Sequence, residues 1–307
     1  MVSQTPRHTR SKYMSVPRLL AAAGLVVATV GASWAPMVVA ETKGLLFINK
    51  PAGLSFHRSP DGSDPGVLPM LRAAQVRGDL AVDGRLYAVH RLDRVTSGLL
   101  MVAKSAEAAS QVSSLLRQHS IHKYYVALSG RKPSKKQGRV SGDMARSRRG
   151  SYKLLRTSDN PAVTAFISSH YDARDGGETD LEANVQIRAR RAFLLKPLTG
   201  RTHQLRVALK CLGSPILGDG MYAAVADASL ETRAYLHAAA LRIPAGCSAL
   251  SDGGHAIEVI CAPTEGHAFL TEAFSRIWTS WMPPNAIGHE DAWLEGTAVA
   301  SRLLRPL

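Results

Sequence analysis

The sequence predicts an α+β fold organised around a long, mixed or antiparallel sheet. Three observations predict it: the apolar runs from Gly44 onward are mostly short and bounded by turn residues, only a few stretches carry helical spacing, and no internal repeat is present. At 307 residues the chain can bury a substantial core, either as one domain of about 250 residues or as two smaller lobes.

Taken in order, Gly44 to Asn49 reads as a strand ending at the Pro51-Ala52-Gly53 turn. Residues 57–69 are rich in Pro, Gly, Asp and Ser and read as a loop, leading into a short helix over Val67 to Ala74. Leu99 to Ala103 is an apolar strand. Ala108, Ala109, Val112, Leu115 and Leu116 recur at helical spacing, so Ala106 to Arg117 is an amphipathic helix. Lys123 to Leu128 is a strand, and Lys132 to Arg149 is a basic segment read as an insertion with a short hairpin. Val163 to Ser168, Val185 to Ala189, Phe193 to Pro197, Leu241 to Ile243 and Ile257 to Cys261 read as strands. Thr202 to Leu212 reads as a helix stopped by Gly213, with His203, Arg206, Val207 and Lys210 on or near one face.

The net charge of +14 is unevenly placed. Residues 1–40 hold Arg7, Arg10, Lys12 and Arg18 without an acid, for +4. Residues 123–156 hold eleven Lys/Arg against Asp143 alone, for +10, and the remainder is neutral. A neutral body with one dense basic segment suits a polyanion binder, because each cation near a phosphate releases counterions. The same charge run also suits a solvated loop that keeps the protein soluble. Cys211, Cys247 and Cys261 lack C-x-x-C spacing and suggest neither a disulfide framework nor a zinc site; Cys211, on an apolar helix face, is expected to be a buried thiol.

Leu19 to Ala40 is almost continuously apolar, follows the four basic residues, and ends in Val38-x-Ala40 before Glu41, a small-residue cleavage pattern. Residues 1–43 are therefore expected to be a leader or membrane anchor outside the fold, and 284–307 a C-terminal tail. The absence of acids, with scattered Ser, Thr and Arg, also suits an organellar transit sequence.

The run His90-Arg91-Leu92-Asp93-Arg94-Val95-Thr96-Ser97-Gly98-Leu99-Leu100 sets one carboxylate between two arginines, ahead of a Thr-Ser-Gly turn and a strand. A carboxylate beside cations stays ionised and available as a nucleophile or electrostatic partner; an isolated Arg-x-Asp is as well read as a surface ion pair. The run, continued by Met-Val-Ala-Lys, closely resembles the catalytic-aspartate motif of the RluA class of pseudouridine synthases. Three further segments resemble that family in its order. Leu46-Phe47-Ile48-Asn49-Lys50-Pro51-Ala52-Gly53-Leu54 is similar to its opening strand and N-K-P-x-G turn, and Lys123-Tyr124-Tyr125-Val126-Ala127-Leu128 to its K-x-Y-x-A strand. Thr199-Gly200-Arg201-Thr202-His203-Gln204-Leu205-Arg206-Val207 resembles its T-G-R-T-H-Q segment, continued by Leu212-Gly213-Ser214-Pro215-Ile216-Leu217-Gly218-Asp219. Leu236-His237-Ala238 also matches, so the resemblance spans roughly residues 44–263. Ala208 and Ser214 depart from it, standing where many members carry histidine.

The resemblance implies a pseudouridine synthase fold over 44–283 with a basic insertion at 131–156, and isomerisation of uridine in ribosomal or transfer RNA. It implies Asp93 as catalytic carboxylate, Tyr125 stacking on the base and handling a proton, and Arg206 orienting Asp93. Each role is chemically sound: a carboxylate can add at C1′ or stabilise charge there, a tyrosine offers a ring face and a weak acid, and an arginine holds a carboxylate bidentately. Arg91, Arg201, His203, Asn49 and Lys50 are expected to bind substrate, and Lys135, Lys136, Arg148 and Arg149 to bind the RNA backbone. Singly, Tyr125 reads as a core tyrosine, His203 as a structural histidine, and Asn49 and Lys50 as a turn; only together with Asp93 do they point to a site.

No carboxylate–histidine cluster has metal spacing, and no Walker or G-x-G-x-x-G loop occurs, so no cofactor and no metal are expected. Structured RNA is the expected partner, without DNA, for a monomer located in a mitochondrion or plastid or, if the apolar segment anchors or exports it, at a membrane or beyond. No N-terminal RNA-binding module fits before Gly44. Two other readings stay open: an RNA-binding or chaperone protein that keeps the fold without turnover, and a membrane-tethered basic protein.

Overall fold

The computed structural model describes residues 36–59, 61–172 and 188–282. In chain order its elements begin β1 (Met37–Glu41), β2 (Leu45–Lys50), α1 (Val67–Arg77), β3 (Tyr87–Ala88), β4 (Ser97–Ala103) and α2 (Ala106–Arg117). They continue with β5 (His122–Ser129), β6 (Gln137–Gly142), β7 (Met144–Arg146), β8 (Tyr152–Leu154), β9 (Ala162–His170) and β10 (Arg191–Pro197). The last are α3 (Gln204–Cys211), α4 (Val225–Ala228), β11 (Leu236–Ile243), β12 (Ile257–Ile260) and α5 (Glu272–Trp281).

One ten-stranded sheet carries the order β1-β2-β4-β11-β5-β10-β9-β6, with β12 added to β11 and β3 to β4. Among the described residues its pairing is antiparallel except for β4 beside β11, so the expected α+β, mostly antiparallel architecture is the one found. β7 and β8 form a separate hairpin. Strand alternation decides what reaches each face. On β5, Tyr124, Val126 and Leu128 pack with Phe274 and Trp281 of α5, whereas Ala127 packs with Phe193, Leu195 and the α3 leucines Leu205 and Leu209, with Tyr125 against them. Lys123 and Tyr125 therefore share the α3 face of the sheet.

The Thr-Ser-Gly-Leu motif and Leu-His-Ala meet where β4 and β11 run side by side, with His237 opposite Ser97 and Ala238 opposite Gly98. Gly98 sits at φ 102, and a Cβ there would overlap the backbone of Ala238. Only glycine combines that conformation with so close an approach. His237, almost wholly buried, bonds Ser97 Oγ through Nδ1 at 2.9 Å and Cys261 O through Nε2 at 2.8 Å. Nε2 must donate to the carbonyl, so Nδ1 accepts from the serine hydroxyl. Burial drives its pKa down to about 3, which keeps the ring in this neutral form.

Most predicted elements appear with longer ends: β5, β9, β10 and β11 all exceed the expected ranges, and α1 continues to Arg77. α2 starts where Ser105 accepts the Ala108 N–H at 3.1 Å, an ordinary N-cap. Three expectations are corrected. The fold does not begin at Gly44: Met37–Glu41 pairs with Glu41 beside Leu46 and Met37 beside Asn49, so the Val-x-Ala pattern lies inside an edge strand whose backbone is committed to β2. The basic segment is not wholly an insertion, because Gln137–Gly142 pairs with β9 as the far edge of the main sheet; its hairpin is β7–β8. Cys211 is exposed rather than buried, since α3 packs through Leu205 and Leu209 and turns Cys211 outward. Residues 1–35 and 283–307, and most of the expected strand at Val185 to Ala189, lie outside the described residues.

Candidate active site

Asp93 lies in the loop between β3 and β4, which turns back through a Thr96 N–H bond to Asp93 O at 3.0 Å. Its carboxylate, 19 % exposed, opens onto a cleft of about 550 Å3 that also contains Tyr125, Arg91, Arg201, His203 and Arg206. The loop is held from behind by the Asn-Lys-Pro-x-Gly turn. Arg94 O accepts the Gly53 N–H at 2.8 Å, and Arg94 Nε returns a bond to Gly53 O at 2.8 Å. Lys50, fully buried, donates to Pro51 O at 2.7 Å, Leu54 O at 2.8 Å and Arg94 O at 3.4 Å.

Arg206 is buried on α3 and gripped in a fork: Nε donates to Asp219 Oδ2 and Nη2 to Asp219 Oδ1, both at 2.7 Å. A bidentate pair of this kind fixes the plane of the guanidinium. Its remaining Nη1 stands 3.5 Å from Asp93 Oδ2, a charge contact rather than a short hydrogen bond. Burial opposes the Arg206 charge, but the bonds to Asp219 and the field of Asp219 and Asp93 outweigh it and raise its pKa. Asp219 is itself fully buried and also accepts the Met221 N–H at 3.1 Å. Gly218 places it: at φ 75, a Cβ there would overlap Arg233 O.

Tyr222 ties this core to its surroundings. Its ring lies 4.9 Å from the Arg206 guanidinium carbon, and its hydroxyl accepts the Tyr152 N–H at 2.8 Å. The same hydroxyl is 2.9 Å from His203 Nδ1. Burial, with opposing fields from Asp93 and Arg206, leaves the His203 pKa lowered, which favours the neutral ring. His203 has left-handed backbone, φ 57, at the entrance to α3. That turn is closed by Gln204, which accepts from Thr199 Oγ1 and the Arg201 N–H and donates to Val163 O and Thr164 Oγ1, all within 2.9 Å. Tyr125 lies opposite Leu195 of β10 and Ala238 of β11. Burial, reinforced by the Asp93 charge, raises its phenol pKa, so it stays protonated. His90 accepts the Met101 N–H at Nε2, and burial lowers its pKa to about 3, which makes it a neutral wall of the cleft.

The structure thus brings together Asp93, Tyr125, Arg206, His203, Arg91 and Arg201. Arg201 also donates through its guanidinium to Asn160 Oδ1. It does not bring Asn49 and Lys50 into the cleft, which corrects their expected substrate contact. Asn49 donates to Thr264 Oγ1 at 3.2 Å, and Lys50 spends its donors on carbonyls that shape the Asp93 loop. Lys135, Lys136, Arg148 and Arg149 are exposed and outside the cleft, the latter two at the tip of the β7–β8 hairpin. That hairpin reaches the site through Tyr152, whose ring meets His203 edge-on at 5.5 Å.

Reading the sequence missed Asp219, Tyr222, Gln204 and Lys123. Asp219 had a signal, since it closes the Leu212 to Asp219 segment that continues the T-G-R-T-H-Q motif, but no role was attached to it. Lys123 lines the cleft, partly buried, with no hydrogen bond or ion pair among the described residues, and burial lowers its pKa. No group of three or more His, Cys, Asp or Glu among the described residues could hold a metal ion.

The family model described as RNA pseudouridylate synthase matches residues 44–210. An uncharacterized RNA pseudouridine synthase of Haemophilus influenzae is 42% identical over 233 residues, covering 76% of this chain and 90% of that protein. The dual-specificity RNA pseudouridine synthase RluA of Salmonella typhi is 32% identical, over 67% of this chain and 86% of its own. Among solved structures, human RNA pseudouridylate synthase domain containing 1 superposes with a TM-score of 0.55 at 25% identity, covering 74% of this chain and 83% of that one. With the motifs in order, the sheet in place and the relatives aligned over most of their length, the chain belongs to the RNA pseudouridylate synthase family and is an RNA pseudouridine synthase.

Proposed function

We propose that the chain isomerises particular uridines of ribosomal or transfer RNA, with Asp93 as the catalytic carboxylate. The supporting observation is the aim of Arg206: two of its nitrogens are locked on Asp219 and the third faces Asp93 at 3.5 Å. The reaction breaks C1′–N1, turns the uracil and joins C1′ to C5; the proton on C5 is lost and N1 gains one, so no cofactor is consumed. A base stacked in RNA must first be flipped into the cleft. The Asp93 carboxylate then adds at C1′ or neutralises the charge that develops there as N1 departs. Arg206 orients that carboxylate through one edge and leaves its other oxygen for the sugar. Tyr125, held protonated, offers its ring for stacking and its O–H as a donor rather than acting as a phenolate base. Arg91, Arg201 and His203 hold the flipped nucleotide, and Lys135, Lys136, Arg148 and Arg149 hold the flanking backbone.

The test is pseudouridine mapping of ribosomal and transfer RNA from cells that lack the protein, and from the same cells expressing wild type or Asp93→Asn. Wild type restores pseudouridine at a defined set of uridines; the near-isosteric variant, present at equal abundance, restores none. Restoration by Asp93→Asn contradicts the assignment of Asp93. Restored sites confined to other RNAs contradict the substrate class.

A further inference from the structure

The cleft continues past Tyr125 into a second cavity of about 260 Å3 between the C-terminal end of α2 and the end of β10. Leu116, His119, Lys123, Pro197 and Thr199 line both. No carboxylate lines the second cavity, and Asp93 is the one carboxylate among the residues lining the first. We propose that Lys123, with His119 beside it, binds the internucleotide phosphate next to the isomerised uridine. The proposal rests on the function proposed above and deepens it.

Six observations carry it. Lys123 and Tyr125 are alternate residues of β5 on one face, about 6.5 Å apart along the strand, so a phosphate at Lys123 belongs to the nucleotide whose base lies on Tyr125 or to its neighbour. Of the other cations lining the cleft, Arg206 is engaged by Asp219 and Arg201 by Asn160, while Arg91 stands on the Asp93 loop and Arg117 on α2 rather than on the Tyr125 strand. Lys123 has no such partner among the described residues although it is partly withdrawn from water, and an ammonium in that position gains most from an incoming anion. The imidazole of His119 likewise has no partner among the described residues, and its backbone is left-handed at φ 55. The helix end does not oppose the anion with bare carbonyls, because Ser114 O, Leu115 O and Leu116 O already accept the N–H groups of Gln118, Ser120 and His119. Hydroxyl competition is also small: Thr199 Oγ1 gives its proton to Gln204 and accepts from Val163 N.

The experiment uses the uridine trinucleotide UpUpU and two analogues, each with one linkage made neutral as a methylphosphonate. Binding to the full-length protein, Lys123→Met and Lys123→Arg is followed by NMR titration. The proposal predicts that wild type prefers the parent over one analogue by at least about tenfold, the scale of one charged hydrogen bond. Lys123→Met loses that preference and Lys123→Arg keeps most of it. Equal discrimination by wild type and Lys123→Met, no discrimination by wild type, or no binding of UpUpU by wild type each overturns the proposal. Catalysis plays no part in this readout, so a wild type that binds with the predicted preference yet forms no pseudouridine in ribosomal or transfer RNA sinks the functional reading alone.

Discussion

Lys50 and Lys123 are both withdrawn from water and both lose basicity to burial, yet they meet opposite surroundings. Lys50 is fully buried on β2, and its three donors end on three carbonyls of the two loops that frame Asp93. Lys123 stands on β5 beside Tyr125 with no acceptor among the described residues. A saturated cation is part of the scaffold, whereas an unsaturated one facing a cleft is arranged for something that arrives. The pair therefore separates the rigid rear wall of the site from its receptive front.

The contrast breaks most visibly in stability. Lys50→Met leaves the carbonyls of Pro51 and Leu54 without their donor and is expected to cost about 3 kcal/mol in urea unfolding. Lys123→Met orphans nothing among the described residues and is expected to unfold no earlier than wild type. The contrast also has a pH signature. Burial, with a smaller contribution from Arg233, lowers the Lys50 pKa from 10.5 to about 7 in the folded protein. Between those values the unfolded chain binds the extra proton, so Lys50 makes stability rise with pH from about 7 towards 10.5. Below about 7 both states are protonated and the folded protein bears the full cost of the buried charge. Lys50→Met should remove that rise, and an unchanged pH profile in the variant would show that Lys50 is not the group responsible.

A smaller effect sharpens the front of the site. Neutralising Lys135, Lys136, Arg148 and Arg149 should flatten the slope of log affinity against log salt by up to about 3, since each phosphate contact contributes about 0.7 to 0.9. Turnover at saturating RNA should change little, because none of the four lines the cleft. An unchanged salt slope returns these residues to the role of a solvated edge.

The gathering of Asp93, Tyr125 and Arg206 at one cleft was legible because each lies inside a contiguous motif. Asp219 closes such a motif too, but its pairing with Arg206 depends on a turn set by Gly218 and is invisible to local pattern. The roles of Lys50 and Lys123 could not be told apart either, because a lysine's partners are tertiary facts. The two edges of the sheet misled for different reasons. Met37-Val38-Val39-Ala40 carries the same apolar, small-residue pattern in an edge strand as in a leader's end. Gln137–Gly142 lacks an apolar signature because exposed edges are commonly charged or glycine-rich, which discourages pairing with other chains. α5 was overlooked although Thr271 caps it by accepting the Phe274 N–H at 3.2 Å.

Asp219 locks Arg206 so that the free edge of the guanidinium faces Asp93. The decisive experiment is single-turnover formation of pseudouridine by Asp219→Asn, with enzyme in excess over RNA. Asparagine keeps the shape but gives up the second accepting oxygen and the charge, so the guanidinium loses its fork. The predicted result is a rate constant lower by about 100-fold, the usual scale for misplacing a catalytic group by an ångström, with RNA affinity nearly unchanged. A folded Asp219→Asn protein that isomerises uridine at the wild-type rate would contradict the account.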